Sequence, residues 1–251
     1  MKIIQVLLTL VLTSFFFFPF YTTFLPAINT KMIVAALGGI LLLVKLARTG
    51  SAQIDKGIFS VSLWAALVSL VSLMSMVLNN TPDDSYLGYV VSMWVWLSAA
   101  YFVVSAIRFT HGSVTIERVC VYLISVGVLQ CLLAIAVDTI PAVKAFVDSI
   151  LEGEGFMGKN EDRLYGLGCA LDVAGTRFSA LLIMIAFLLP KAAQKEKSGL
   201  YLTLLLTAFC ILVGIGSIIG RTTVVVPCCR FCIFFMRFAS RRILQIQPEI
   251  S

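Results

Sequence analysis

Apolar residues in this chain come in long, nearly unbroken runs. They neither alternate with polar ones, as in a half-buried strand, nor recur on one face, as in the helix of a soluble domain. A spanning helix needs about 20 mostly apolar residues to cross a hydrocarbon core about 30 Å thick. Seven runs approach that length, at 3–24, 32–46, 58–78, 87–107, 116–137, 177–189 and 200–220. In lipid every backbone amide must be satisfied within its own segment or around a closed barrel, and these runs lack the period-two alternation of barrel strands. The pattern predicts an all-α, polytopic helical bundle of about seven transmembrane helices. The first run, led by Lys2, imitates a secretory signal but is too long and has no clear small-x-small cleavage site, so it reads as an uncleaved first span, kinked near Pro19.

The polar breaks between runs set the orientation, because cytoplasmic loops keep an excess of Lys and Arg. Lys2 precedes span one. Lys45, Arg48 and Lys56 lie between spans two and three, Arg108 and Arg118 flank the next even loop, and Lys191, Lys195 and Lys197 fill the last. The odd loops hold Lys31, or Asp83 and Asp84 with no basic residue, so the amino terminus is expected in the cytoplasm. The chain then divides into five transmembrane helices over 1–137, an external loop over 138–176, two more helices over 177–223 and an irregular Cys- and Arg-rich tail over 224–251. Tyr21, Tyr86 and Tyr89 fall near outer boundaries, where aromatic rings favour the headgroup level. Within the long loop, Val143, Phe146, Val147, Ile150 and Leu151 recur at helical spacing opposite Lys144, Asp148 and Glu152. This predicts a short amphipathic helix over 142–151, lying on the membrane surface.

Composition agrees: 60% of residues are hydrophobic and 13% charged, against roughly 25% charged in soluble domains. Charge is also placed informatively, since every charged residue falls at a span end or in a loop. An ion or proton path through the membrane would need ionisable groups inside the spans. Ser60, Ser62, Ser69, Ser72 and Ser75 on span three read as glue between helices or, alternatively, as the lining of a path. Among the seven cysteines, Cys120, Cys131 and Cys210 lie in spans as small apolar groups, and Cys228, Cys229 and Cys232 lack a fourth ligand, so no metal is expected. Gly153, Gly155 and Gly158 match a dinucleotide pattern but follow no strand, which makes them a turn. Gly216 and Gly220 form a small-xxx-small face for close helix packing, and the lone His111 reads as a solvated loop residue. No cofactor and no nucleic-acid partner is expected; membrane lipids are.

The remaining constellation is cationic: Arg163 and Arg177 at the end of the long loop, and Arg221 at the end of the last span. Arg binds phosphate bidentately, so three such groups on one membrane face suit a lipid-linked pyrophosphate. Snorkelling to lipid headgroups is the alternative.

The stretch Arg163-Leu164-Tyr165-Gly166-Leu167-Gly168, followed by Ala170-Leu171-Asp172-Val173-Ala174-Gly175-Thr176-Arg177-Phe178-Ser179, opens a span after a large external loop. It resembles the central motif of the bacterial O-antigen ligase and polymerase family. Ile218-Ile219-Gly220-Arg221-Thr222 resembles that family's second signature, an Arg at the outer end of the following helix. The resemblance implies glycosyl transfer at the outer leaflet of the bacterial inner membrane. The implied donor is a saccharide on undecaprenyl pyrophosphate, and the acceptor is either a lipid A core or a growing glycan chain. It further implies Arg163 and Arg221 as the pyrophosphate clamp, Arg177 as its third member and Asp172 as a positioning residue.

Family members usually carry about ten or more spans and a second external loop with acceptor-activating residues, including a His. After Val226 this chain instead reads Pro227-Cys228-Cys229-Arg230-Phe231-Cys232, with Arg237, Arg241 and Arg242 further on. The expectation is a truncated or frameshifted member, whose activity is left open for want of that region. The alternative is a complete small membrane protein that binds or moves a lipid-linked saccharide without chemistry.

Overall fold

The computed structural model describes residues 2–49, 56–84, 86–151, 163–193 and 199–224. Among these residues lie eight α-helices: α1 (Lys2–Phe17), α2 (Thr30–Thr49), α3 (Lys56–Asn79), α4 (Tyr89–His111), α5 (Ile116–Thr139), α6 (Pro141–Ile150), α7 (Leu171–Ala193) and α8 (Gly199–Ile219). Two short strands, β1 (Tyr21–Thr22) and β2 (Leu25–Asn29), pair as a ribbon after α1, and a 3₁₀ turn (Arg221–Val224) follows α8. Six helices, α2 to α5, α7 and α8, are long and apolar enough to cross a membrane. The molecule is therefore an all-α, multi-pass membrane protein. The tail cysteines, the Gly153–Gly158 pattern and the altered reading after Val226 lie outside the described residues.

The first span differs from expectation. Helix α1 ends at Phe17, because Pro19 has no N–H to donate and its ring pushes the preceding residue out of the α region. Its 16 residues reach about 24 Å at 1.5 Å per residue, short of a full hydrocarbon core. What the apolar run presents as one kinked helix is a shorter helix followed by the strand ribbon. Helix α6 falls within one residue of the amphipathic segment. Its apolar face is divided: Val147 is buried against the protein, whereas Phe146 stays exposed.

The chain forms two compact units. The first comprises residues 1–16 and 27–114, the second residues 17–26 and 115–251. In the first, α1 meets α4 through the Thr9 and Thr110 hydroxyls, 2.9 Å apart, and through the Phe16 ring set edge-on to Trp96. Helix α2 begins where the Asn29 Oδ1 accepts the Met32 N–H at 3.0 Å, an N-terminal cap. It then packs closely on α4, because Gly38 sets its backbone directly against the Ser98 carbonyl. Helix α3 is nearly all exposed, with Trp64, Leu70, Val71 and Met74 outward, as suits a helix facing lipid. Of its serines, Ser69 acts as glue: its hydroxyl accepts the Val90 N–H at the start of α4.

In the second unit α7 is the central element. Phe178, Leu181, Ile185 and Leu188 are fully buried, as are Val126, Cys131, Ala134 and Val137 of α5 and Leu212 and Ile219 of α8, the two helices on which α7 packs. Gly127 of α5 gives the Leu181 side chain room to approach. At the other end of the helix pair Lys191 bonds Glu117 at 3.1 Å; both are exposed.

Candidate functional site

Of the residues singled out for phosphate, Asp172 and Arg177 lie in the first two turns of α7, Arg221 follows the Gly220 contact with that helix, and Arg163 stands eight residues before it in the chain. This helix begins at Leu171, six residues before the apolar run that marks it in the sequence. Asp172 and Arg177 are therefore helical, and the preceding loop ends at Ala170 rather than Thr176. Leu171 itself has φ 53°, an uncommon left-handed conformation for a branched side chain that marks the abrupt entry into the helix.

The loop before it is a tight turn. Gly166 donates its N–H to the Cys169 carbonyl at 2.9 Å, and Cys169 donates back at 3.4 Å. Gly168 sits at φ 67°, where a side chain is strained, and a Cβ there would also meet the Phe18 and Pro19 carbonyls. Arg177 locks this turn from the helix side. Its Nη1 donates to the Gly168 carbonyl at 3.2 Å, and its guanidinium lies 5.7 Å from the centre of the Phe18 ring. Phe18 in turn packs on Phe178 at 5.7 Å, and both rings are fully buried.

The turn is held on its other flank by α6. Tyr165 donates its hydroxyl to Asp148 Oδ1 at 2.7 Å. Burial, reinforced by that carboxylate acceptor, pushes the phenol up to about 12, so Tyr165 is a fixed donor at neutral pH. Helix α6 is joined to the strand region as well: Thr23 donates its N–H to the Ile150 carbonyl and its hydroxyl to the Ser149 carbonyl, each at 3.0 Å. Cys169 is fully buried, and burial raises its thiol well above the ordinary value, which suits an inert packing group rather than a nucleophile.

Arg221 reaches the same node from α8. Gly220 packs its backbone on the start of α7; a Cβ there would lie 2.6 Å from the Leu171 carbonyl oxygen and 2.7 Å from the Gly175 nitrogen. Gly216, one turn earlier, lies against the Phe178 ring. The small-xxx-small pair is thus the contact that seats α8 on α7. Past it the chain turns through Thr223, whose N–H bonds the Gly220 carbonyl at 3.1 Å and whose hydroxyl bonds the Gly216 carbonyl at 2.9 Å. The Ser179 hydroxyl of α7 donates to the Thr222 carbonyl at 3.2 Å.

The three arginines are therefore not equivalent. Arg177 is half-buried and spends a donor on the fold. Arg221 is exposed and Arg163 half-exposed, and neither has a hydrogen bond or ion pair among the described residues. Composition marks all three as cations; only their packing separates them. Two parts of the node escape a reading of motifs: the Tyr165–Asp148 bond and the Phe18 platform, which lie 17 and 159 residues from the groups they serve. The lone His111 closes α4 in the first unit, beside the αL cap at Gly112. Among the described residues no cluster of three potential metal ligands occurs. No protein-family model, curated protein or solved structure matches the chain.

Proposed function

We propose that the protein works in cell-surface polysaccharide assembly as a membrane glycosyltransferase, polymerising or ligating undecaprenyl-pyrophosphate-linked saccharide at the outer face of the bacterial inner membrane. The observation that supports this reading is a pair of arginines, uncommitted among the described residues, that flank in sequence the packed start of α7. Arg163 leads into the turn locked by Arg177, and Arg221 leads out of the Gly220 contact with the same helix start. In the transfer, an acceptor hydroxyl oxygen bonds to the anomeric carbon as that carbon's bond to the pyrophosphate oxygen breaks. The bonding pair leaves with the pyrophosphate, and the acceptor proton passes to a general base. Arg163 and Arg221 stabilise the charge that builds on the departing phosphate, and Arg177 keeps the turn in place for them. Asp172, one residue into α7, remains a positioning residue for acceptor or Arg in this reading.

A second reading follows from His111. The one histidine of the chain falls at a loop expected on the cytoplasmic side, whereas the transfer would need a base on the outer side, which favours a protein that binds or moves the lipid-linked saccharide without chemistry. One experiment separates the two. In a bacterial strain lacking the gene, the wild-type chain should restore a glycan ladder, and Arg163→Ala or Arg221→Ala should abolish it. A ladder indifferent to both substitutions would overturn the transferase reading. Retention of the lipid-linked saccharide by purified protein with no product formed would support the second.

A further inference from the structure

The strand ribbon after α1 and helix α6 are joined where α5 ends. Helix α5 has 24 residues and reaches about 36 Å at 1.5 Å per residue, enough to clear a hydrocarbon core of about 30 Å. Ile140 is extended and Pro141 opens α6 at once, so α6 starts at the depth of lipid headgroups. The ribbon is tied to the far end of that helix. Thr22 bridges Leu151, and Thr23 donates its N–H to the Ile150 carbonyl and its hydroxyl to the Ser149 carbonyl. The Leu25 N–H is satisfied by the Thr22 hydroxyl at 3.2 Å. Such bonds let a non-helical backbone stand beside lipid, where an unsatisfied amide is costly.

What these elements expose is apolar. Thr23 and Phe24 form the tip of the ribbon, and Phe24 is 82% exposed, with Tyr21 and Leu25 exposed on either side. No charged residue lies between Lys2 and Lys31. On α6, Phe146 is 62% exposed. At 3.6 residues per turn it lies about 160° around the helix from both Lys144 and Asp148. Charges and exposed ring therefore take opposite sides, as in a helix lying in the plane of a bilayer. Along α5 an exposed apolar stripe of Leu129, Leu132 and Ile135 runs up to Ile140, where α6 begins. The apolar surface at the end of α5 thus continues the lipid-facing side of a spanning helix.

We propose that the ribbon is a membrane anchor: Phe24 and Leu25 enter the acyl boundary of the leaflet at the carboxy-terminal end of α5, and Phe146 of α6 enters the same leaflet. Tyr21 stands at the headgroup level, which suits a ring with a polar tip. The partner is a phospholipid bilayer surface, recognised through apolar contact, since the inserted side chains carry no charge. The amphipathic pattern of α6 accounts for a surface helix alone; the ribbon adds a second, non-helical insertion point bonded to its end. Because Asp148 of α6 also holds Tyr165, the anchor sets the depth at which the turn before α7 stands.

The test places the full-length chain in phosphatidylcholine nanodiscs with one of two diazirine probes, a phospholipid carrying the group near its glycerol ester or a water-soluble reagent. After illumination, peptide mass spectrometry locates the adducts. Lipid-borne adducts are expected on residues 21–25 and on Phe146, as on the α5 stripe, with little water-borne label at the same positions. Partition of one large aromatic ring out of water corresponds to about tenfold or more, so Phe24→Ser should raise the water-borne label on residues 21–25 by that factor. The α5 stripe should keep its lipid adducts in the variant. Should Phe24→Ser fail to accumulate, the wild-type map decides alone. Water-borne label on residues 21–25 without lipid adducts overturns the proposal, as does a lipid pattern there that Phe24→Ser leaves unchanged. A ribbon that takes neither label also overturns it, and cross-links to a second copy would then identify another chain as its cover. None of these readouts depends on whether the arginines take part in sugar transfer.

Discussion

Gly168 illustrates how much of the node rests on single backbone atoms. Its φ of 67° is open to glycine and strained for alanine, and the space where a Cβ would go is filled by the Phe18 and Pro19 carbonyls. Gly168→Ala should therefore destabilise the protein by about 1–3 kcal/mol, read as a lowered melting temperature of the purified chain. Tyr165 offers a test through pH. Its hydroxyl sits at about 12, above the ordinary tyrosine value near 10, so the protonated form is favoured by folding. The sign follows: the stabilisation is fully present below about pH 10 and is lost as pH rises through about 12. Tyr165→Phe should cost about 0.5–1.5 kcal/mol at neutral pH, the net worth of one hydrogen bond, and at the lower end because the pair is part-exposed. Melting curves of wild type and variant should converge at strongly alkaline pH. A constant gap across pH 7 to 12 would show that the Asp148 bond is not the source.

Helix boundaries show which forces a reading of apolar runs captures. Spans α2, α3, α4, α5 and α8 were legible because lipid contact selects for apolar length alone, and α6 because a surface helix must separate its faces. The start of α7 was hidden. Residues 171–176 interleave Leu171 and Val173 with Asp172, Gly175 and Thr176 and so break the apolar run, while Gly220 and Thr222 close on Gly175 from outside, a contact between positions about 45 apart in the chain. The end of α1 was readable in Pro19, but the apolar residues beyond it masked the strand ribbon. In the site, Arg163, Arg177 and Arg221 were visible as residue types, whereas the burial that sets Arg177 apart depends on Phe18 and Gly168. The α7–α8 seat also carries a prediction. A Cβ at Gly220 meets main-chain atoms that cannot rotate away, so Gly220→Val should cost more than about 2 kcal/mol and reduce accumulation in membranes. Gly214 on the same helix faces open space, and Gly214→Val should leave accumulation near wild type. Equal loss in both variants would point to helix insertion rather than to the seat.

The whole molecule joins two kinds of cationic group to one lipid-embedded frame, and the proposed clamp requires that they behave differently. Arg177 holds the Gly168 carbonyl, so Arg177→Ala should lower the melting temperature along with any activity. Arg163 and Arg221 hold no described partner; their alanine variants should melt within about 0.5 kcal/mol of wild type. Activity should then separate clamp from snorkel. Two groups that stabilise one departing pyrophosphate act as a unit, so each single substitution should already remove most of the rate, about a hundredfold or more, as loss of one preorganised charge-stabilising donor does. The double variant should fall well short of the product of the two losses, because effects within one catalytic unit are strongly non-additive. Arginines that only anchor headgroups would instead give small losses that add independently. Measured glycan elongation in the single and double variants, alongside their melting temperatures, decides between these cases. Restored activity in Arg163→Lys with reduced affinity for the lipid-linked donor would further show that charge near the phosphate, more than bidentate geometry, is what that position supplies.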